Sequence, residues 1–146
     1  MSFHLDYLLD LPGVKVETCT QIEGQIYFRL ITLASEIVCP HCNNYTKELH
    51  QNRPILVRDL SVFGRFVYLQ VPRRQFYPSC QRYITEKLEF IDKKRRHTQR
   101  YEQNIYARVQ QSSMEQIGRE EGLSYHEIKG IFTHVNSRKK KLLGVS

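Results

Sequence analysis

Residues 113–132 constrain the fold most tightly, because they hold two helix-start signals, a helix-ending glycine and two apolar stripes in close succession. Ser113 is a strong N-cap whose hydroxyl can accept an orphan N–H of the first turn. Gln116 stands three residues later, where a capping box takes glutamate or glutamine. Met114 and Ile117 give the short helix a small apolar face, and Gly118 allows close approach beside it. Gly122 falls where a helix ends in a left-handed residue, a geometry that costs glycine almost nothing. Ser124 and Glu127 repeat the capping box, so a second helix begins at once, with Leu123 filling the angle between the two. Ile128, Ile131, Phe132 and Val135 form an apolar stripe at spacings of three and four. Ser124 stands at the entry to this helix, and Tyr125, His126, Lys129 and Thr133 are left on its other side. A helix-turn-helix presents such a second helix to the major groove. The pattern therefore points to double-stranded DNA as a partner. The plain alternative is a helical hairpin inside a core.

Charge placement favours the first reading. Of the 146 residues, 1–92 hold ten Lys/Arg and ten Asp/Glu, whereas 93–146 hold twelve and five. The whole net charge of +7 thus lies in the half that carries the two capped helices, the electrostatic footprint of a nucleic-acid binder. A solvated basic surface is the alternative. No apolar run is long enough to span a membrane, and residues 1–10 contain acids but no basic start of a signal peptide. A cytoplasmic location is expected, and four cysteines in a reducing compartment suggest metal binding or burial rather than disulfides.

Along the chain, Leu5, Leu8 and Leu9 suggest one or two helical turns, stopped at Pro12-Gly13. Residues 14–19 and 25–33 alternate like the strands of a hairpin, turning at Ile22-Glu23-Gly24-Gln25. Cys39-Pro40-His41-Cys42 places two thiols on a tight turn, a spacing that holds Zn²⁺. Asn43 follows, and asparagine tolerates the left-handed backbone such turns need. Residues 53–60 and 65–71 read as two strands around Phe63-Gly64. A second cysteine pair is then wanted, but Tyr77-Pro78-Ser79-Cys80 supplies one. His50 or His41 is a candidate fourth ligand, Cys19 a further one, and a three-ligand site is usually open to water. The expected ligand set is Cys39, Cys42, Cys80 and His50. Residues 83–90 read as a last strand or an extended lead-out. Lys93, Lys94, Arg95 and Arg96 form a basic run that can hold phosphates. Thr98 caps a helix to about residue 111, with Tyr101, Ile105 and Val109 on one face. The cluster Arg138-Lys139-Lys140-Lys141 extends the last helix or frays.

The order of these parts resembles the N-terminal half of transposases of the ISL-three family. The resemblance rests on Cys39-Pro40-His41-Cys42, Arg58-Asp59-Leu60, Arg73-Arg74-Gln75-Phe76, Cys80, Thr85-Glu86, Arg96-His97-Thr98 and residues 113–135, and covers roughly residues 1–136. In that family a zinc-ribbon-like unit and a helix-turn-helix bind the inverted repeats at the element's ends. A downstream RNase H-like domain with three acidic residues and divalent metal cuts and joins DNA. Two departures stand out. The family's second knuckle has two cysteines where this chain has Cys80 alone, and the sequence ends at Ser146, before any such catalytic domain.

The expected fold class is α+β. A small β-rich zinc-ribbon-like domain (1–92) would precede a three-helix helix-turn-helix domain with a basic tail (93–146). The expected function is sequence-specific binding to terminal inverted repeats by a truncated, non-catalytic transposase, with Zn²⁺ as cofactor and a homodimer as an allowed assembly. Lys93, Lys94, Arg95, Arg96 and Arg100 would hold phosphates, and Arg73 and Arg74 would add backbone contacts. Ser124, Tyr125, His126 and Lys129 would face the groove. The alternatives are a zinc-ribbon protein-interaction module, or a DNA-binding subunit working with a separate catalytic chain.

Overall fold

A computed structural model describes the backbone of residues 2–144 and the side chains of residues 4–144. It is an α+β chain divided into two compact units, Met1–Thr98 and Gln99–Ser146. Among the described residues, no helix is long and apolar enough to cross a membrane.

The first unit is built on a four-stranded sheet of order β1-β2-β7-β6, with β1 Val14–Ile22, β2 Gln25–Thr32, β6 Ile55–Val62 and β7 Arg65–Val71. Both hairpins turn on two residues of positive φ, Glu23 (50°) and Gly24 (81°), then Phe63 (52°) and Gly64 (73°). Two-residue turns of that hand match the natural twist of antiparallel strands. Between the hairpins, β2 runs parallel to β7, pairing Ile26 with Val67 through Arg29 with Gln70. Alternation buries one face of the sheet: Val14 and Val16, Phe28 and Leu30, Val57, then Val67, Leu69 and Val71. Helix α1 (Ser2–Leu9) contributes Leu5 and Leu9 to this core, whereas Leu8 is exposed. The helix is tied down by Asp6, whose Oδ1 accepts the Val16 N–H at 2.6 Å beside a register shift in β1.

The rest of the unit consists of short strands. A hairpin of β3 (Ile37–Val38) and β4 (Tyr45–Thr46) carries the first cysteine turn. β5 (Leu49–Asn52) pairs with β8 (Arg74–Phe76), which pairs with β9 (Ile84–Thr85), and the loop between β8 and β9 carries Cys80. Phe76, Ile84 and Cys39 form a separate small core. Residues 83–90 are thus mostly lead-out, with two residues paired as strand, and Phe90 packs into the large sheet's core.

Arg74 departs from the sequence expectation of a DNA contact. It shares the buried face of β8 with Phe76 and is itself only 9% exposed. Its Nε and Nη2 donate to the two oxygens of Glu86 at 2.8 and 2.6 Å, and the Glu86 N–H returns a bond to the Arg74 carbonyl. A bidentate, largely desolvated pair of this kind is a structural clamp, and it closes the base of the loop that bears Cys80.

The unit also reaches beyond residue 92. The Arg58 N–H donates to the Arg96 carbonyl, the Thr98 N–H donates to the Arg58 carbonyl, and Thr98 Oγ1 donates to Asp59 Oδ1 at 2.8 Å. These bonds lay residues 96–98 along β6, so the basic run belongs with the sheet rather than with the helices.

The second unit contains α2 (Gln99–Val109), α3 (Met114–Glu121) and α4 (Tyr125–Leu142). The Ser113 and Ser124 hydroxyls accept the N–H groups of Gln116 and Glu127, each at 3.1 Å. The first box is not reciprocal, because the Gln116 amide instead donates to Glu120 and accepts from Arg119. Gly122 ends α3 at φ 69°. Tyr101, Ile105, Ile117, Ile128, Ile131 and Val135 form the buried interior. Glu121, spaced four after Ile117, is buried with them; it accepts the Tyr101 hydroxyl and pairs with Arg108, which also holds Glu120. The Gln116 and Arg108 contacts keep the Glu120 carboxyl below the usual range. α4 runs on through Lys139, Lys140 and Lys141, where cations suit the negative end of the helix dipole.

Two predictions follow from this packing. A Cβ on Gly118 would stand 2.6 Å from the Leu123 carbonyl oxygen, and backbone cannot swing aside as a side chain can. Gly118→Ala should therefore lose about 1–3 kcal/mol to overpacking, exceeding the ~1 kcal/mol gained in helix propensity, as read by thermal unfolding of the helical circular-dichroism signal. Glu86→Ala leaves the Arg74 charge buried alone and should cost about 3–5 kcal/mol in denaturant unfolding; a cost below about 1 kcal/mol would show the pair to be an ordinary surface bridge.

Candidate metal centre and nucleic-acid interface

The first cysteine turn is shaped by its own backbone. The Cys39 N–H donates to the Asn44 carbonyl at 2.9 Å, and the Asn43 N–H donates to the Cys39 carbonyl at 2.8 Å. Asn43 takes φ 60°, as asparagine tolerates. The turn aims amides at sulfur: His41 N–H lies 3.4 Å from Cys39 Sγ, and the Asn44 amide serves Cys42. That Asn44 bond outweighs partial burial and, with the neighbouring thiols and Ser79, lowers the Cys42 thiol to about 7.

Cys80 comes from the other hairpin. Its Sγ lies 3.6 Å from Cys39 Sγ, and the sulfurs of Cys39, Cys42 and Cys80 all lie within 4.8 Å of one another. Desolvation raises the Cys80 thiol despite a bond from the Arg82 amide. Three clustered sulfurs, each next to a backbone amide, are a donor set that fits Zn²⁺. Such a set would hold the ion as thiolates, with the amides spreading their negative charge.

The fourth ligand named from sequence is not brought in. His50 is exposed on β5, its ring 4.5 Å from that of Tyr83, and it does not join the sulfur group. His41 Nδ1 faces Arg82 Nη1 at 3.5 Å. Cys19 is exposed on β1, paired with Phe28 in the large sheet.

The expected DNA contacts divide by position. On α4, Tyr125, His126, Lys129 and Thr133 are exposed opposite Ile128, Ile131 and Val135. The Ser124 hydroxyl accepts its capping bond and keeps a proton to donate. Tyr106 stacks on Phe132 with centroids 4.9 Å apart, and Lys139 lies over the Tyr106 ring. Lys93, Lys94 and Arg96 are exposed in the turn that follows Asp92, whereas Arg95 is half-buried and its N–H donates to the Asp92 carbonyl. Arg100 is half-buried on α2, and Arg73 is exposed beside the buried Arg74.

The periodic pattern overlooked the polar groups that lock these parts together. Glu121 and Arg74 carried a signal, since each sits in phase with a buried apolar residue, Ile117 and Phe76. The meeting of Asp59 with Thr98 carried none, because nothing local links residues 39 positions apart.

Comparison with known proteins follows the same division. A family model described as the zinc-finger of transposase IS204/IS1001/IS1096/IS1165 matches residues 35–82. A second, the helix-turn-helix domain of transposase family ISL3, matches residues 86–136. The chain is 29% identical over 97 residues to the transposase for insertion sequence element IS1001 of Bordetella parapertussis, a match that covers 66% of this chain and 24% of that protein. No solved structure matches. Residues 35–136 thus carry a zinc-ribbon match followed by a helix-turn-helix match, and through these two domains the chain resembles the N-terminal part of ISL3-family transposases.

Proposed function

We propose that the chain binds double-stranded DNA at the terminal inverted repeats of an insertion sequence, acting as the recognition part of an ISL3-type transposase. The observation that carries the reading is the outward face of α4, where Tyr125, His126, Lys129 and Thr133 stand exposed on a helix whose other side is packed. The two family matches and the net positive charge of residues 93–146 support it.

In this reading Tyr125, His126 and Lys129 meet base edges in the major groove. Ser124 and the N-terminal amides of α4 face a phosphate, as helix N-termini do. Lys93, Lys94, Arg95, Arg96 and Arg100 contribute phosphate contacts that set register without reading sequence. Arg73 adds backbone contact from the first unit, and Arg74 does not. Elements end in inverted copies of one site, which favours two chains acting as a homodimer. The proposal gives these residues recognition rather than strand cutting.

Base and phosphate roles separate in one experiment. Lys129→Ala should narrow the affinity gap between element-end and random duplexes by about 1–3 kcal/mol, measured by fluorescence anisotropy. Equal loss on both duplexes would remove Lys129 from base reading. Arg95→Ala with Arg96→Ala should weaken both duplexes alike and lower the slope of log affinity against log salt by about two. An unchanged slope would place both arginines outside the interface.

A further inference from the structure

The two cysteine-bearing turns repeat one pattern, and the repeat identifies what stands in for a fourth ligand. Cys39-Pro40-His41-Cys42-Asn43-Asn44 matches Tyr77-Pro78-Ser79-Cys80-Gln81-Arg82 position for position. Each turn joins two short antiparallel strands. Each places a left-handed residue straight after its last cysteine, Asn43 at φ 60° and Gln81 at φ 63°. In each, the amide two residues beyond that cysteine serves its sulfur, Asn44 for Cys42 and Arg82 for Cys80.

Glutamine enters the left-handed region less readily than asparagine. Gln81 holds it nonetheless, so the second turn keeps the form of a ligand-bearing knuckle although it carries one cysteine. Tyr77 occupies the place that Cys39 has in the first turn. Its ring meets that of Tyr83 at a tilt of 41°, centroids 4.7 Å apart, and Tyr83 in turn meets His50. A phenol is not among the usual zinc ligands. Among the described residues, no fourth His, Cys, Asp or Glu joins the sulfurs of Cys39, Cys42 and Cys80.

We propose that these three cysteines form an open three-thiolate zinc site, in which Tyr77 replaces the fourth ligand and a small imidazole- or thiol-class ligand from solution can bind. This rests on the zinc-ribbon reading of residues 35–82. Four protein ligands close a structural zinc site, whereas three leave a position that exchanges. Phe76, Ile84 and the Arg74–Glu86 clamp then hold the second turn in place without a fourth sulfur. One substitution, Tyr77→Cys, should close the site, because the turn that would present the new thiolate is already formed.

The test uses the full chain with zinc, and with cobalt(II) as a spectroscopic substitute. In the unaltered chain, added imidazole or a small thiol should shift the cobalt absorption bands. Tyr77→Cys should abolish that response. It should also tighten zinc in competition with a chelator by more than about 100-fold, since outer-shell partners alone are worth about 10–100-fold. Cobalt bands in the unaltered chain that ignore both added ligands would overturn the proposal even if the variant failed to fold. So would unchanged zinc affinity in a folded Tyr77→Cys chain. A loss of more than about 100-fold in His50→Ala or His41→Ala would also overturn it, because that exceeds what an outer-shell partner is worth and the chain would then supply its own fourth ligand. Failure of both the unaltered and Tyr77→Cys chains to bind zinc would overturn the zinc-ribbon reading itself, a result distinct from tight binding at a closed site.

Discussion

The parallel pairing of β2 with β7 is the constraint on which the first unit depends. It joins two hairpins whose paired residues lie 41 positions apart in the chain, and it makes one sheet with one buried face. Everything between the hairpins must then leave the sheet and return. The outward path forms the β3–β4 and β5 segments, and β7 leads through Pro72 and Arg73 into β8 and the turn bearing Cys80. The return path brings Phe90 into the sheet's core and lays residues 96–98 along β6. The cysteine cluster is therefore an outgrowth of a hydrophobic sheet, and Glu86, bound to Arg74, marks the point where the chain turns back.

This arrangement changes the meaning of several short motifs. Arg58-Asp59 and Arg96-His97-Thr98 look like independent polar signals, yet they bond to each other. Arg74 and Glu86 likewise form one contact. Breaking such a pair strands a charge or a hydroxyl in a dry site, which costs more than the pair itself contributes. Of the charges in these motifs, Arg73 and Arg96 face solvent, so they rather than Arg74 are suited to phosphate contact.

The two hairpins of the large sheet, the short N-terminal helix and the helices of the second unit were legible because each depends on local chemistry. Glu23-Gly24 and Phe63-Gly64 turn by themselves, Ser113 and Ser124 cap by themselves, and Gly122 ends a helix whatever surrounds it. The parallel pairing was not legible, since no turn residue announces a contact that closes a long loop. The boundary at residue 98 was also hidden: the basic run 93–96 reads as linker until Thr98 is seen bonded to Asp59. For the candidate metal centre, the spacing of Cys39 and Cys42 marked the first turn, and the lone Cys80 is brought to it by the fold. His50 does not join the sulfurs, because β5 holds it exposed beside Tyr83 and away from the cluster. Tyr77 mattered through backbone shape, visible only once Gln81 is seen to copy the conformation of Asn43.

The functional reading divides labour between charge and shape. Under the proposal, phosphate contacts supply most affinity and fall steeply with salt, and a few side chains on α4 supply discrimination. The most direct measurement is the affinity of the full chain for a labelled duplex across a salt series, read by fluorescence anisotropy. Binding that weakens steeply as salt rises from about 50 to 200 mM is the predicted result. No binding at about 50 mM, where phosphate contacts are strongest, would contradict the DNA-binding account.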